Sequence, residues 1–325
     1  MLLLDTEPGG RKWKRRFCFD RNWLKNTGVG EVVSRAWSKK QIGSRGYRLQ
    51  MKKKECRMAL LDWIRRLNSN AKRQIKCIKQ ELRELQRSGK TDGRERKREL
   101  RGKLAEAYRR EEVFWGQKAR SCWLKEGDKN TKYFHAMVEG RRRRNTISVL
   151  QKSGGDWCKS GKDIEEEIEG YFRGLFTSSN PQLFDMVLEG IPQVITRQMN
   201  QRLVRPVSEE EVRKAVFSLH PNKAPGPDGM TPIFFQQFWN TIKFDLINAV
   251  SSFFHSGNLL SAINSTMITL IPKVDNPVCV SQFRPISLCN VVYRIISKIL
   301  VNRLKPLLKH CISMNQSAFI PGRQI

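Results

Sequence analysis

Residues 220–230 read His-Pro-Asn-Lys-Ala-Pro-Gly-Pro-Asp-Gly-Met, HPNKAPGPDGM, and the chain has no other cluster of three prolines and two glycines like it. Pro225 and Pro227 pre-set φ, while Gly226 and Gly229 permit φ > 0, so this loop is stiff and sharply bent. Helical segments flank it. Upstream, Ser208 and Glu211 form a capping box, and Val212, Ala215, Val216 and Leu219 share one helical face. Downstream, Thr231-Pro232 is an N-cap and N1 pair for a helix to about Ser256, ended by Gly257.

Beyond that helix the chain keeps its order. STMITLIP (265–272) and QFRPISL (282–288) have the composition of short strands. In NVVYRIISKILVNRLKPLL an amphipathic helix follows, with Val291, Val292, Ile295, Ile296, Ile299, Leu300 and Leu304 on one side. Upstream of the loop, NTISVL (145–150) reads as a strand, KSGGDW as a turn and residues 163–176 as a helix with acids in its first turns. Residues 180–206 carry no clear period.

The front of the chain differs. The whole protein holds 61 Lys and Arg against 31 Asp and Glu, a net charge of +30. Residues 1–150 alone hold 42 against 17, a net of +25. Such an excess points to polyanionic partners. Leu60, Ile64, Leu67, Ala71, Ile75, Ile78, Leu82 and Leu85 form one apolar stripe, expected as a single long helix. SGKTDG (88–93) is a turn by composition, and Leu100, Leu104, Ala107 and Phe114 run back, predicting an antiparallel helical hairpin coated with Lys and Arg. Eight cysteines without C-x-x-C or zinc-finger spacing fit a reducing compartment, nuclear or cytoplasmic. MLLLD is too short for a signal-peptide core, and no apolar run reaches the ~20 residues of a spanning helix, so neither secretion nor a membrane partner is expected.

Taken in order, NKAPGPDGM, a long helix, TLIPK, FRPISL, YRIISKILVNRL and QSAFIPGRQI resemble the N-terminal part of the reverse transcriptase domain of LINE-type (non-LTR) retrotransposons, particularly those of plants. WLKEGDKNTKYFHAMVEGRRRRN resembles the linker before that polymerase, and RRFCFDRNWL the segment just after the family's endonuclease. The resemblance implies an α+β, predominantly helical fold: a basic helical linker plus an incomplete fingers and upper-palm part of a right-hand polymerase. Residues 1–33 would be the end of the endonuclease and an exit linker, 34–145 the basic helical region, 146–207 a connecting α/β region, and 208–325 the truncated reverse transcriptase part. It also implies that the endonuclease histidine precedes Met1 and that the polymerase aspartates follow Ile325.

The same resemblance assigns site residues. Lys273 and Arg284 would contact the triphosphate of the incoming nucleotide, Arg through its fork and Lys as a point charge. The alternative is a pair of solvated strand-end cations. Lys223, Gly226 and Gly229 would follow the RNA template with exposed amides; the alternative is a rigid connector in which Asp228 caps the turn. Gln316, Phe319, Gly322 and Arg323 match a second fingers motif against template, or else a turn packing the preceding helix. Arg141, Arg142, Arg143 and Arg144, with the basic hairpin, would bind nucleic acid by counterion release. Trp115, Trp123, Tyr133 and Phe134 stack on bases or fill a core.

Two-metal nucleotidyl transfer needs carboxylates converging on ions roughly 3.5–4 Å apart. From residue 208 onward the acids are Glu209, Glu210, Glu211, Asp228, Asp245 and Asp275, with no Asp-Asp or Asp-x-Asp among them. No catalytic residue, no metal ligand and no cofactor is therefore expected in this chain. Mg²⁺ is expected only for the complete polymerase, and no small-molecule substrate is expected to bind productively. The expected function is that of a fragment of an RNA-directed DNA polymerase, inactive alone. Two other readings stay open, a non-catalytic basic protein that binds RNA or DNA and a remnant that barely folds.

Overall fold

The computed structural model describes residues 16–67, 71–87, 94–119, 131–152, 154–182 and 184–312. Most of them are helical, and two small antiparallel sheets complete the α+β fold. The chain forms two units, one of Arg16–Gln41 and Met51–Thr146, the other of Ile42–Gln50 and the chain from Ile147. No helix among the described residues is long and apolar enough to cross a membrane.

Among the described residues the first unit is helical. Asp20 caps a short 3₁₀ turn, Arg21–Lys25, by accepting from Asn22 N at 2.9 Å. α1 (Val29–Trp37) buries Val29, Val33, Ala36 and Trp37. α2 (Arg45–Arg66) meets it through Cys56, whose thiol donates to Val33 O at 3.7 Å. Burial, with the nearby Glu55 carboxylate, pushes that thiol up to about 12. The single long helix expected from the apolar stripe is in fact divided: α2 ends at Arg66, and α3 begins at Ala71 and runs to Arg87. The residues between, Asn68, Ser69 and Asn70, lie outside the described residues. A period shared by two helices does not by itself reveal that break. α4 (Arg94–Ala119) runs antiparallel to α3, and α5 (Thr131–Asn145) packs on α4 through Ala119, Phe134 and Val138. The predicted turn at 88–93 and the strand-like MLLLD lie outside the described residues.

In the second unit the NTISVL strand shrinks to β1 (Leu150–Gln151), which pairs with β2 (Trp157–Cys158); Asn145 belongs to α5, and residues 146–149 form no ladder. α6 (Gly161–Phe176) is capped by Ser160, and Ile164, Ile168 and Phe172 form its buried face. That face packs on Leu270, Val280 and Phe283. Short helices α7 (Phe184–Leu188) and α8 (Arg197–Val204) fill the aperiodic stretch. α9 (Glu209–Ser218) carries the expected capping box in both directions. The helix predicted after the loop is broken at Phe238 into α10 (Pro232–Gln237) and α11 (Trp239–Ser256), and Gly257 ends it in the left-handed region at φ 70°. Thr231 makes no side-chain cap; its buried hydroxyl has no partner among the described residues. α12 (Ser261–Asn264), β3 (Thr266–Pro272), β4 (Phe283–Cys289), α13 (Val291–Leu304) and α14 (Leu308–Cys311) follow among the described residues. On α13, Val291, Val292, Ile295, Ile296 and Ile299 are buried, but Leu300 and Leu304 are about half exposed, so the apolar face is used only over the first turns.

Two joints hold this unit. Arg303 of α13 is 5% exposed and grips Glu211 of α9 with both ends of its fork, at 3.0 and 2.9 Å. It also donates to the carbonyls of Leu203, Arg205 and Pro206, and its guanidinium lies over the Phe254 ring of α11. The second joint is Asn290, wholly buried just ahead of α13. Its amide donates to the carbonyls of Ala262, Ile263 and Ser265 at 3.0–3.2 Å, and its oxygen accepts from Asp228 N at 3.4 Å. Arg294 adds a bond to Ala224 O at 2.7 Å, so the proline-glycine loop is fastened to the β4–α13 junction.

Three outcomes follow from this packing. The Arg303 fork holds Glu211 down at about 2, from an ordinary 4.5. A depressed carboxylate adds stability above its unfolded value and loses it as pH falls toward the folded one, so about 3 kcal/mol should disappear between pH 4.5 and 2. Urea midpoints against pH should show this acid limb, and Glu211→Gln should flatten it. In Gly226→Ala the new Cβ would lie 2.5 Å from Asn290 N and 2.7 Å from Asn290 Cα, both backbone atoms that cannot swing away. That substitution should cost roughly 2–3 kcal/mol in the same unfolding measurement. Alkylation of the native protein at mildly alkaline pH should label the exposed Cys18, Cys77 and Cys311 and spare Cys56.

Candidate nucleotide and nucleic-acid interface

β3 and β4 pair antiparallel over their full length, with Ile271 opposite Arg284 and Pro272 opposite Phe283. Thr and Ile side chains suit the pleat, and each proline sits on a strand of a two-stranded ribbon, where a missing N–H is tolerated. Strand alternation then sorts the faces. Ile268, Leu270 and Phe283 turn toward α6, while Ile271 and Ile286 face outward, each 40% exposed. Just past β3, Lys273 N donates to Gln282 O at 2.8 Å, which extends the register by one pair. Lys273 and Arg284 are thus diagonal neighbours on the outward face, with Cα atoms roughly 7–8 Å apart. Both are exposed. The Lys273 ammonium donates to Ser281 O at 2.7 Å, which lays its stem over the turn. Gln282 stiffens that turn by accepting from Val278 N and Cys279 N.

The loop at 220–230 is arranged differently from the expectation of amides turned outward. Lys223 N donates to His220 O, Gly229 N to Gly226 O, Met230 N to Asp228 Oδ1, and Asp228 N to Asn290 Oδ1. Gly226 and Gly229 are buried, and Gly229 takes φ 73°. Of the three loop residues expected at the template, Lys223 alone offers an exposed side chain. Asp228 closes the turn on Met230 N, the arrangement of a turn-capping residue.

In the helical unit, Arg141 Nη1 donates to Ala119 O at 2.7 Å and closes the C-terminus of α4, whereas Arg142, Arg143 and Arg144 are exposed on the last turn of α5. Phe134 is buried, and Trp115, Tyr133 and Met137 pack on it; the Trp115 and His135 rings lie 3.7 Å apart. These aromatics fill the α4–α5 core. Trp123 and the residues Gln316, Phe319, Gly322 and Arg323 lie outside the described residues.

Glu209 pairs with Lys243 at 3.0 Å, Glu211 with Arg303 and Arg205, and Asp228 accepts from Met230 N. Among the described residues no three of His, Cys, Asp and Glu gather around one point. Asn290, Arg294 and Arg303 escaped the reading of the sequence, although they place the loop and α13. An Asn before a helix suggests an N-cap, yet Asn290 makes no cap bond and spends its amide on distant carbonyls.

Residues 271–325 match the family described as reverse transcriptase (RNA-dependent DNA polymerase). Over 327 aligned residues the chain is 25% identical to the transposon TX1 uncharacterized 149 kDa protein of Xenopus laevis, covering 99% of this chain and 23% of that protein. It is 26% identical over 172 residues to the retrovirus-related Pol polyprotein from type-2 retrotransposable element R2DM of Drosophila melanogaster, covering 50% of this chain and 16% of that one. The chain spans less than a quarter of the length of either relative, and neither is from a plant. Family match, relatives and motif order agree: the chain is similar to LINE-type (non-LTR) retrotransposon proteins, and its residues 271–325 are the part that matches the reverse transcriptase family.

Proposed function

We propose that the chain supplies nucleotide- and template-contacting elements to a right-hand RNA-directed DNA polymerase that copies RNA during retrotransposition. Lys273 and Arg284 engage the triphosphate of the incoming nucleotide. Arg284 offers a bidentate fork and Lys273 a point charge, and both counter charge that builds on the phosphates as the bond breaks. Lys223 meets the template backbone, with Gly226 and Gly229 setting the loop's path. Gln316, Phe319, Gly322 and Arg323 lie against template in the same scheme, and Arg142, Arg143 and Arg144 hold nucleic acid by charge. Arg141 acts through the α4 terminus it closes. The observation that carries this reading is the β3–β4 register, which brings Lys273 and Arg284 to one exposed face inside the family-matched segment.

RNA and DNA are the partners in this reading, and its setting is nuclear or cytoplasmic. Mg²⁺ belongs to the complete polymerase, with carboxylates that lie outside this set of residues. A second reading, a non-catalytic basic protein that holds RNA or DNA, is favoured by the +25 charge of residues 1–150.

RNA-templated primer extension separates the two. In an element protein that carries this segment together with the polymerase aspartates, Lys273→Ala or Arg284→Ala should each raise KM for the nucleotide about 10-fold or more, with RNA affinity little changed. The isolated chain should extend no primer. Variants with unchanged KM would remove the nucleotide-site assignment and leave the binding reading, whereas extension by the isolated chain would overturn the non-catalytic binding reading.

A further inference from the structure

The α3–α4 hairpin has two unlike sides. An α-helix advances about 100° per residue, so the apolar rows Ile75, Ile78, Leu82, Leu85 and Leu100, Leu104, Ala107 define the faces the helices turn toward each other. On one side of that seam the charges are matched. Arg96 pairs with Glu81 and Glu99, Lys103 with Glu99, and Arg110 with Glu106.

The other side is different. Lys72, Lys76, Lys79, Arg83 and Arg87 follow one another every three or four residues along α3, a row about 22 Å long. Arg94, Arg98 and Arg101 form the matching row on α4. Both rows stand about a third of a turn from the seam in the same rotational sense. In an antiparallel pair, equal rotation from the seam brings both rows to one side. Lys79 confirms the placement, because its ammonium lies 5.3 Å from the Tyr108 ring across the seam. Except for that ring contact, these eight cations have no ion-pair or hydrogen-bond partner among the described residues. All eight are exposed, no acidic side chain of α3 shares their row, and on α4 the acid at that rotational position, Glu112, stands eleven residues beyond Arg101, the last cation of the row.

We propose that this unpaired side of the hairpin is a binding surface for the phosphate backbones of a nucleic-acid double helix. Two rows on helices roughly 8–10 Å apart suit the two phosphate strands that border a groove roughly 12 Å wide. Single strands are held by exposed aromatic platforms. Here Tyr108 is half-buried under Lys79, and Phe114 and Trp115 are also half-buried, so α3 and α4 present no exposed ring. The surface reads no base edges and therefore tolerates any sequence. The class of occupant rests on the polymerase reading above; the duplex form rests on the two rows.

The test is the salt dependence of binding to a labelled duplex of about 20 base pairs between about 50 and 200 mM salt, followed by fluorescence anisotropy on the full chain. The triple variant Lys76→Gln, Arg83→Gln, Arg98→Gln should reduce the slope of log K against log salt by about 2–3 and weaken binding at least 10-fold. Arg96→Gln, Lys103→Gln, Arg110→Gln removes the same charge from the paired side and should change the slope by less than about 1. Circular dichroism should be alike for all three proteins. DNA, RNA and hybrid duplexes identify which double helix is preferred, and preference for any of them over a single strand supports the proposal. Equal losses in both triple variants, tighter binding to the single strand, or a loss seen only with phosphatidylserine vesicles would overturn it. Lys273→Ala should bind duplex like the unaltered chain, so failure of the nucleotide site and failure of this surface show in different measurements.

Discussion

A buried side-chain amide must find partners for two N–H donors and a carbonyl oxygen, or cost on the order of 1–3 kcal/mol per unsatisfied group. Asn290 meets this demand with backbone groups from the loop at 220–230 and from the exit of α12. Satisfying one residue therefore fixes three pieces of chain at once, including the place where β3 begins and where α13 starts. The same site excludes any side chain at Gly226, because the loop lies on the backbone of Asn290. The stiffness of the prolines and the smallness of the glycine serve this inward packing first. What the loop offers outward is Lys223.

Arg303 plays the corresponding part at the other end of α13. Only a planar, permanently charged fork can bind Glu211 bidentately and still reach three carbonyls of the segment 203–206. Those carbonyls run from the last turn of α8 to just past its end, so Arg303 joins α8, α9 and α13 with one side chain. A lysine there would keep the charge and lose the geometry. The Glu211 carboxylate is shared between the capping of α9 and the grip on Arg303, which is why so acidic a group tolerates partial burial.

Charge is organised by a different logic in the helical unit. There the acids do not dilute the excess of cations evenly. Glu81, Glu99 and Glu106 are spent on one side of the α3–α4 hairpin, and two rows of Lys and Arg stand together on the other. Self-repulsion within such rows opposes folding, and the apolar seam between the helices offsets it. Aromatic residues that might have served as stacking platforms are taken up by cores, as Phe134 and Trp115 are between α4 and α5. Electrostatics and packing are thus divided between faces of the same helices.

Features set by neighbours in sequence were legible without coordinates. The Ser208–Glu211 box, the Gly257 stop, the two strands around Pro272 and Arg284 and the basic hairpin all depend on spacings of a few residues, and the motif order carried the relationship to reverse transcriptases. Boundaries failed where a period ran through a break, as between Leu67 and Ala71 and at Phe238. The face shared by Lys273 and Arg284 needed the strand register. The inward turn of the loop needed Asn290, which lies 62 residues from Asp228, and the grip on Glu211 needed Arg303, 92 residues away. Hydrogen bonds of that range leave no period in a sequence, because a single buried polar group is satisfied by whichever backbone the fold brings near. The chain's sequence by itself determined its helices, its charge and its kinship; only the tertiary structure decided which polar groups point inward to hold it and which remain outside to bind.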